Sequence, residues 1–354
     1  MAKGFDTEPL PESDRAPACL HPRETYDLLG HSEAERRFIQ AQQSGRLHHA
    51  WLLTGPPGIG KATLAYRMSR ALLGGQSLMP ESLNIPKSDP ISQRIESRGH
   101  GNLFVVNRPW DSKTKKFKQD IPVDLIRSVG EFLQGTAAED KESRVVIIDS
   151  ADDLNRNAEN ALLKMLEEPP SKTVMILLSS SPGRLLPTIR SRCMAVPLKA
   201  VPKADIVDWL SRQGQGSKDM VEACANLSRG GPGKAMALAQ NASEVLMPLK
   251  RFMESLDTGR VSIDIGIAKS LATQNAAVAR ALFWDVLEDS IQACAVYSQT
   301  DLWEGAFAPP NNKRNPEKWL KAWSLIREQK AIEAAINTDK TATLLNTLSA
   351  VRAA

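Results

Sequence analysis

The chain has 354 residues, enough for two or three domains, and its 42% hydrophobic and 24% charged content is ordinary for a globular protein. A net charge of +4 permits a nucleic-acid partner without demanding one. Cys19, Cys193, Cys224 and Cys294 are scattered without a C-x-x-C pair, which argues against a disulfide framework or a zinc site, and no apolar run reaches the length of a membrane span or the core of a signal peptide. The expected setting is cytoplasmic, with no membrane partner.

Residues 1–24 are rich in Pro, Asp and Glu, lack periodicity and predict a disordered tail. The spacing of Leu28, Leu29, Ala34, Phe38, Ile39 and Ala41 then predicts a turn and a helix ending near Ser44. A short strand, Ala50–Leu53, leads into Thr54-Gly55-Pro56-Pro57-Gly58-Ile59-Gly60-Lys61-Ala62-Thr63. A helical pattern through Leu64, Ala65, Met68, Ala71 and Leu72 comes next. Strand, glycine-rich turn, lysine and helix is the context a phosphate-binding loop requires. Glycines let backbone N–H groups curl around an anion, the lysine adds a point charge, and the helix N-terminus adds its partial positive end. After Lys61 the pattern wants a hydroxyl to hold Mg²⁺, and Ala62 offers only a methyl. Thr63 does not stand in, because one residue along a helix rotates a side chain by about 100°.

Residues 74–102 read as a loop insertion with one short helix, Leu103–Val106 as a strand, and Lys113–Lys118, with four lysines in six residues, as a loop. That basic loop is either a solvated connection or a contact to DNA or a partner, and the sequence does not decide. Val123–Gln134 is an amphipathic helix. The β-branched run from Arg144 to Asp149 predicts a buried parallel strand ending in an acid. A helix through Ala158, Ala161, Leu162, Met165 and Leu166 stops at Pro169-Pro170. A strand at Val174–Leu178 and a short helix from Pro187 into Arg192 follow. Alternating strands and helices predict an α/β fold with a parallel sheet, whose ligands bind at the carboxyl ends of the strands. Two or three short helices are expected over 202–241, broken by Gly230–Gly233. Beyond about 245 strands vanish, and Trp284, Trp303, Trp319 and Trp323 mark a further helical region.

An ATPase of this layout follows the strand-end aspartate with a glutamate that orients water. Here Asp149 is followed by Ser150, too weak a base to replace a carboxylate at neutral pH. Glu167 and Glu168 sit at a helix C-terminus, where the macrodipole disfavours negative charge, so they suggest a contact rather than a solvated end. Cys193 reads as a small buried hydrophobe, since no base is placed beside it.

Three segments together, Gly55–Thr63, the run Ala161-Leu162-Leu163-Lys164-Met165-Leu166-Glu167-Glu168-Pro169-Pro170, and Ser191-Arg192-Cys193, resemble the bacterial clamp-loader subunits of the AAA+ class. They resemble most closely the delta-prime subunits of DNA polymerase III. The likeness runs from about Leu28 to Ala239. It implies an AAA+ P-loop domain over 25–198, a helical lid over 199–243 and an all-α collar over 244–354. It implies that Arg192 acts in trans on the ATP of a neighbouring subunit, and that this chain is a stator with a degenerate nucleotide site at Gly55–Thr63 and Asp149. Catalytic members have arginine where Gly233 stands, a third departure beside Ala62 and Ser150, and a polar residue near Ser179-Ser180-Ser181 senses phosphate in relatives. The implied partners are the motor subunits and delta, the sliding clamp indirectly, and primer-template DNA through the complex. ATP or ADP held without hydrolysis is the implied cofactor. Relatives often carry a four-cysteine zinc module after the P-loop helix; residues 74–102 have no cysteine, so no zinc is expected. The rival reading is an active AAA+ ATPase, a motor subunit or another DNA-processing motor.

Overall fold

The structure is a computed structural model that describes residues 11–16, 19–114, 116–135, 143–256, 261–300, 302, 303, 305–310, 315–335 and 338–353. Two compact units divide the chain at Val201 and Pro202.

The first unit runs α1 (Ser32–Gln43), β1 (Ala50–Thr54), α2 (Lys61–Leu72), α3 (Pro90–Glu96), β2 (Leu103–Val106), β3 (Trp110–Asp111), β4 (Lys116–Phe117), α4 (Val123–Gln134), β5 (Arg144–Ile148), α5 (Arg156–Glu167), β6 (Thr173–Ser179), α6 (Pro187–Ser191) and β7 (Met194–Pro197). Five strands form a parallel sheet in the order β2-β5-β6-β1-β7. The central strands read as unbroken apolar runs because both faces are covered. Trp51, Leu53, Val145, Ile147, Ile176 and Leu178 join one core with Phe38, Leu64, Met68 and Ile95 of α1, α2 and α3. The alternate residues Ala50, Leu52, Val146, Ile148, Met175 and Leu177 join the other, against Ile126, Val129, Leu162, Leu166 and Ile189 of α4, α5 and α6. Since the strands are parallel, the phosphate loop, Asp149, Ser179 and the exit of β2 all emerge at one edge. There the Gly55 N–H donates to Ser179 O (3.2 Å), the Asp149 N–H to Val106 O (2.8 Å) and the Leu198 N–H to Thr54 O (2.7 Å).

Three features depart from the sequence reading. Met194–Pro197 is a fifth strand, paired with β1 from Trp51 to Thr54. The expected loop over Lys113–Lys118 contains a strand at Lys116–Phe117: Trp110 pairs with Phe117 and Asp111 with Lys116, while Lys115 lies outside the described residues. The expected disordered tail is docked where it is described. Arg23 binds Glu12 (2.5 Å), the Asn107 side-chain N–H donates to Asp14 (2.9 Å), and His21, wholly buried, lies 3.2 Å from Asp14. Acidic residues that look solvating in isolation here meet polar and charged partners that no local pattern announces. Residues 1–10, 17 and 18 of that tail lie outside the described residues.

The second unit is helical throughout its described elements: α7 (Lys203–Arg212), α8 (Lys218–Leu227), α9 (Pro232–Gln240), α10 (Ala242–Ser255), α11 (Val261–Leu271), α12 (Ala277–Thr300), α13 (Pro316–Ala335) and α14 (Lys340–Ala353). Arg352 of α14 grips the buried Asp264 of α11 with two N–H groups (2.6 and 3.0 Å) and also donates to Ser255 O (2.5 Å). Glu333 accepts from Arg280 (2.6 Å) and from the Trp284 indole (2.7 Å), locking α13 to α12. The buried Asp264 and Arg280 of this unit are thus each met by an opposite charge, as burial demands.

Candidate nucleotide loop and arginine rim

The loop after β1 has the backbone a phosphate cradle needs. Gly55 takes φ 145°, and a side chain there would meet Leu198 O at 2.6 Å, so the passage beside β7 excludes anything larger. Gly60 caps α2 in the left-handed region (φ 106°), where glycine alone avoids strain. The amides that open α2 have no carbonyl one turn back to bond, and these are what a phosphate would meet. Pro56 and Pro57 are exposed, Ile59 is buried, and Ala62 packs on the core with its methyl. The glycine backbone and the start of α2 fit a phosphate, while Ala62 brings only a methyl to the position where a hydroxyl would hold Mg²⁺.

Lys61 is turned inward. Its ammonium donates to Gly55 O (2.7 Å), Pro56 O (2.9 Å) and Ser180 Oγ (2.8 Å), which uses all three of its hydrogens. Burial pulls its pKa down to about 8, against the attraction of Asp149 and Asp152. Asp149 moves the opposite way, to about 7, because burial and then the nearby Asp14 oppose its charge more than Lys61 favours it. Asp14 comes from the docked tail, and nothing in its sequence context marked it as a neighbour of Asp149.

The acids that could substitute for the missing water-orienting glutamate are committed elsewhere. Asp152 accepts from Ser179 Oγ (2.6 Å), the Ser180 N–H (2.6 Å) and the Ser181 N–H (3.1 Å). It thus caps the turn after β6. Asp153 pairs with Arg108 (3.2 Å). Ser150 Oγ lies 3.1 Å from Asp152 and accepts from the Asp152 N–H (3.3 Å). The serine run that resembles a phosphate sensor is woven into the same network. In the second unit Lys234, beside Gly233, gives its ammonium to Asp289 of α12 (2.8 Å), which Arg229 also contacts (3.1 Å).

Arg192 is used differently. It closes the C-terminus of the short α6, with its side chain 36% exposed. One guanidinium nitrogen donates to Thr188 O (3.1 Å) and the other terminal nitrogen meets Glu167 (2.8 Å), itself 48% exposed. A guanidinium has five N–H groups, so about three stay open to an incoming anion. The acid at the end of α5 that looked misplaced against the helix dipole has this arginine as its partner. The two distinctive motifs of the sequence thus touch. Burial pushes the neighbouring Cys193 thiol up to about 12, which leaves it inert as a nucleophile.

Comparison with known proteins follows the same division. Residues 30–202 match the family described as "DNA polymerase III, delta subunit". DNA polymerase III subunit delta' of Escherichia coli (strain K12) is 36% identical over 204 residues, which is 58% of this chain and 58% of that one. DNA polymerase III subunit gamma of Buchnera aphidicola subsp. Acyrthosiphon pisum is 31% identical over 192 residues, 53% of this chain and 49% of that one. The chain thus spans just over half the length of the E. coli relative it matches. A solved DNA polymerase III gamma subunit-related protein of Thermotoga maritima superposes with a TM-score of 0.49 at 18% identity, covering 92% of this chain and 99% of that one, a likeness too slight to add weight. Over residues 30–202 the resemblance carried by the motifs holds, and the first unit is an α/β domain with a parallel sheet and a glycine-rich loop after β1, followed in the chain by an all-helical region.

Proposed function

From the match of residues 30–202 to that family, we propose that this chain is a delta-prime, or stator, subunit of a bacterial replicative clamp loader. It works in a hetero-oligomer with motor subunits and delta, acting on a sliding clamp and on primer-template DNA through the complex. The observation that carries the reading is a contrast in how the charges are held: Lys61 and Asp152 are locked in internal hydrogen bonds at the carboxyl edge of the sheet, while Arg192, just before β7 at the opposite edge, stands at the surface with one backbone hydrogen bond and one partly exposed carboxylate partner. Arginine suits the lent role because its planar fork stays charged and stabilises the charge developing on a transferring phosphate. Ala62, Ser150 and Gly233 support a site of its own that has lost hydrolysis, whereas the glycine cradle remains able to hold ATP or ADP.

The test is steady-state ATP hydrolysis, first by the chain alone and then with motor subunits of the same organism. The expected result is background turnover alone and stimulated turnover in the complex, lost in Arg192→Ala. Motor-like turnover by the isolated chain would instead favour an active AAA+ ATPase.

A further inference from the structure

The end of α5 that carries Glu167 is held by a residue outside the motifs. A helix leaves its last four carbonyls without a partner inside the helix, and Leu166 O is one of these in α5. The half-buried His49, just before β1, fills the gap: its Nε2 lies 3.1 Å from Leu166 O. A carbonyl only accepts, so Nε2 carries the proton and donates. Burial, then the neighbouring His48, hold the His49 pKa below its ordinary value, which keeps the ring neutral at about pH 7. The ring is fixed in turn. It stacks on His48, with centroids 4.4 Å apart and planes 25° apart, and the His48 carbonyl accepts from the indole of the wholly buried Trp51 (2.9 Å). The main chain is tied as well, because His49 O accepts the Met175 N–H of β6 (2.8 Å). His49 thus grips both sides of the α5–β6 connection, its side chain on the helix and its backbone on the strand. The first residue between the two grips is Glu167, the partner of Arg192 (2.8 Å). Arg192 returns to the same level of the sheet: it precedes Met194 by two residues as His49 precedes Trp51, and Trp51 pairs with Met194.

We infer that His49 is a positioning residue for Arg192, acting through Leu166 O and Glu167 to set the direction from which the guanidinium reaches a neighbour's ATP. The inference rests on the stator reading and adds a residue to it. An exposed ion pair is too weak to hold its own geometry, so the direction of the Glu167–Arg192 pair is set by the backbone beneath it. That backbone is where His49 acts. The carbonyl it binds belongs to the residue next to Glu167, and the peptide between them is planar and stiff, so a loosened bond at Leu166 O displaces Glu167 first. A histidine that only steadied α5 would serve stability alone, and turnover per assembled complex separates the two roles.

The experiment measures ATP turnover by motor subunits of the same organism assembled with the full chain. The chain carries His49→Ala, His49→Asn or His49→Gln, each with Arg192 intact and with Arg192→Ala. A glutamine amide reaches the place of Nε2 and donates there, whereas an asparagine amide stops at the level of Nδ1. With one net hydrogen bond at stake, His49→Ala and His49→Asn should each lower kcat about two- to fivefold with KM for ATP unchanged, and His49→Gln should restore it. Combined with Arg192→Ala, all three should add nothing. Wild-type kcat per assembled complex in His49→Ala and His49→Asn overturns the inference, even where the melting temperature falls. Losses that add to that of Arg192→Ala overturn it too, as does a glutamine variant no better than asparagine. If His49→Ala does not assemble, the asparagine and glutamine variants decide between them. Arg192→Ala by itself reports on the stator reading. Turnover left intact there sinks that reading and this inference together, whereas lost stimulation beside silent His49 variants sinks only the role of His49.

Discussion

The pocket around Lys61 lies where β1 and β6 end, and Arg192 lies at the opposite edge of the same sheet, between α6 and β7; their charges meet opposite fates. In the pocket Lys61 makes three hydrogen bonds and Asp152 accepts four, all with groups of the same unit. At the rim Arg192 has one carboxylate partner, and that partner is half exposed. Exposed ion pairs are worth about 0–1 kcal/mol, whereas a hydrogen bond to a buried charge is worth about 1.5–3. A group meant for another molecule must be releasable at low cost, and a group that has become part of the scaffold need not be. On the proposed reading, the kind of bond a cation makes separates scaffold from lent function.

Crossed mutations test that separation most severely. Arg192→Ala should lower the motor's turnover in the reconstituted complex by a hundredfold or more, since arginine fingers are worth about 10³–10⁵ in kcat. The melting temperature of the chain should barely move. Lys61→Ala and Asp152→Asn should do the reverse, each costing about 1–3 kcal/mol in urea unfolding by leaving buried polar groups unpaired, with motor turnover retained in complex that remains folded. If Lys61→Ala abolished the motor's turnover without loss of stability, the pocket would be functional and the comparison broken.

The pocket also has a pH signature. Asp149 carries its proton up to about pH 7 in the folded protein, against 3.8 for an ordinary aspartate. The folded state therefore binds more protons between those values, so the contribution of Asp149 to stability is full below the lower value and is lost as pH rises through the upper one. Asp149→Asn removes the buried charge. The variant should gain about 2–3 kcal/mol relative to wild type as pH rises from about 5 to 7.5. Thermal melts across that range would show the gap widening with pH. A constant gap would mean that Asp149 is ionised throughout and that Lys61 holds it so.

Much of the first unit could be read in advance because its signals are local. Apolar runs at Ala50–Leu53, Arg144–Ile148 and Val174–Leu178 mark strands covered on both faces, and Pro169-Pro170 stops a helix wherever it stands. Met194–Pro197 escaped because a four-residue strand with an exposed alanine has no pattern of its own; its place is set by pairing with Trp51–Thr54. Glu12, Asp14 and His21 escaped for a related reason. Their partners Arg23, Arg98 and Asn107 are brought close only by the fold. At the candidate site, Ala62 and Ser150 are substitutions visible within one motif. The inward turn of Lys61 toward Ser180, 119 residues away, is a tertiary fact, as is the Glu167–Arg192 pair.

That pair yields the smallest effect and the finest test. If Glu167 holds the Arg192 guanidinium in the direction from which it reaches a neighbour, Glu167→Gln keeps an acceptor of the same shape and removes only the charge. An exposed pair contributes at most about 1 kcal/mol, so motor turnover should fall about two- to fivefold, in kcat rather than KM. The decisive arm is the double variant. A residue that acts only through Arg192 has nothing left to position once Arg192 is alanine, so Glu167→Gln/Arg192→Ala should match Arg192→Ala alone. Additive losses would give Glu167 a contact of its own with the neighbour. A rise in turnover for Glu167→Gln would make the carboxylate a restraint that competes with phosphate for the same guanidinium, and the weakness of the bond would then be what lets ATP win it.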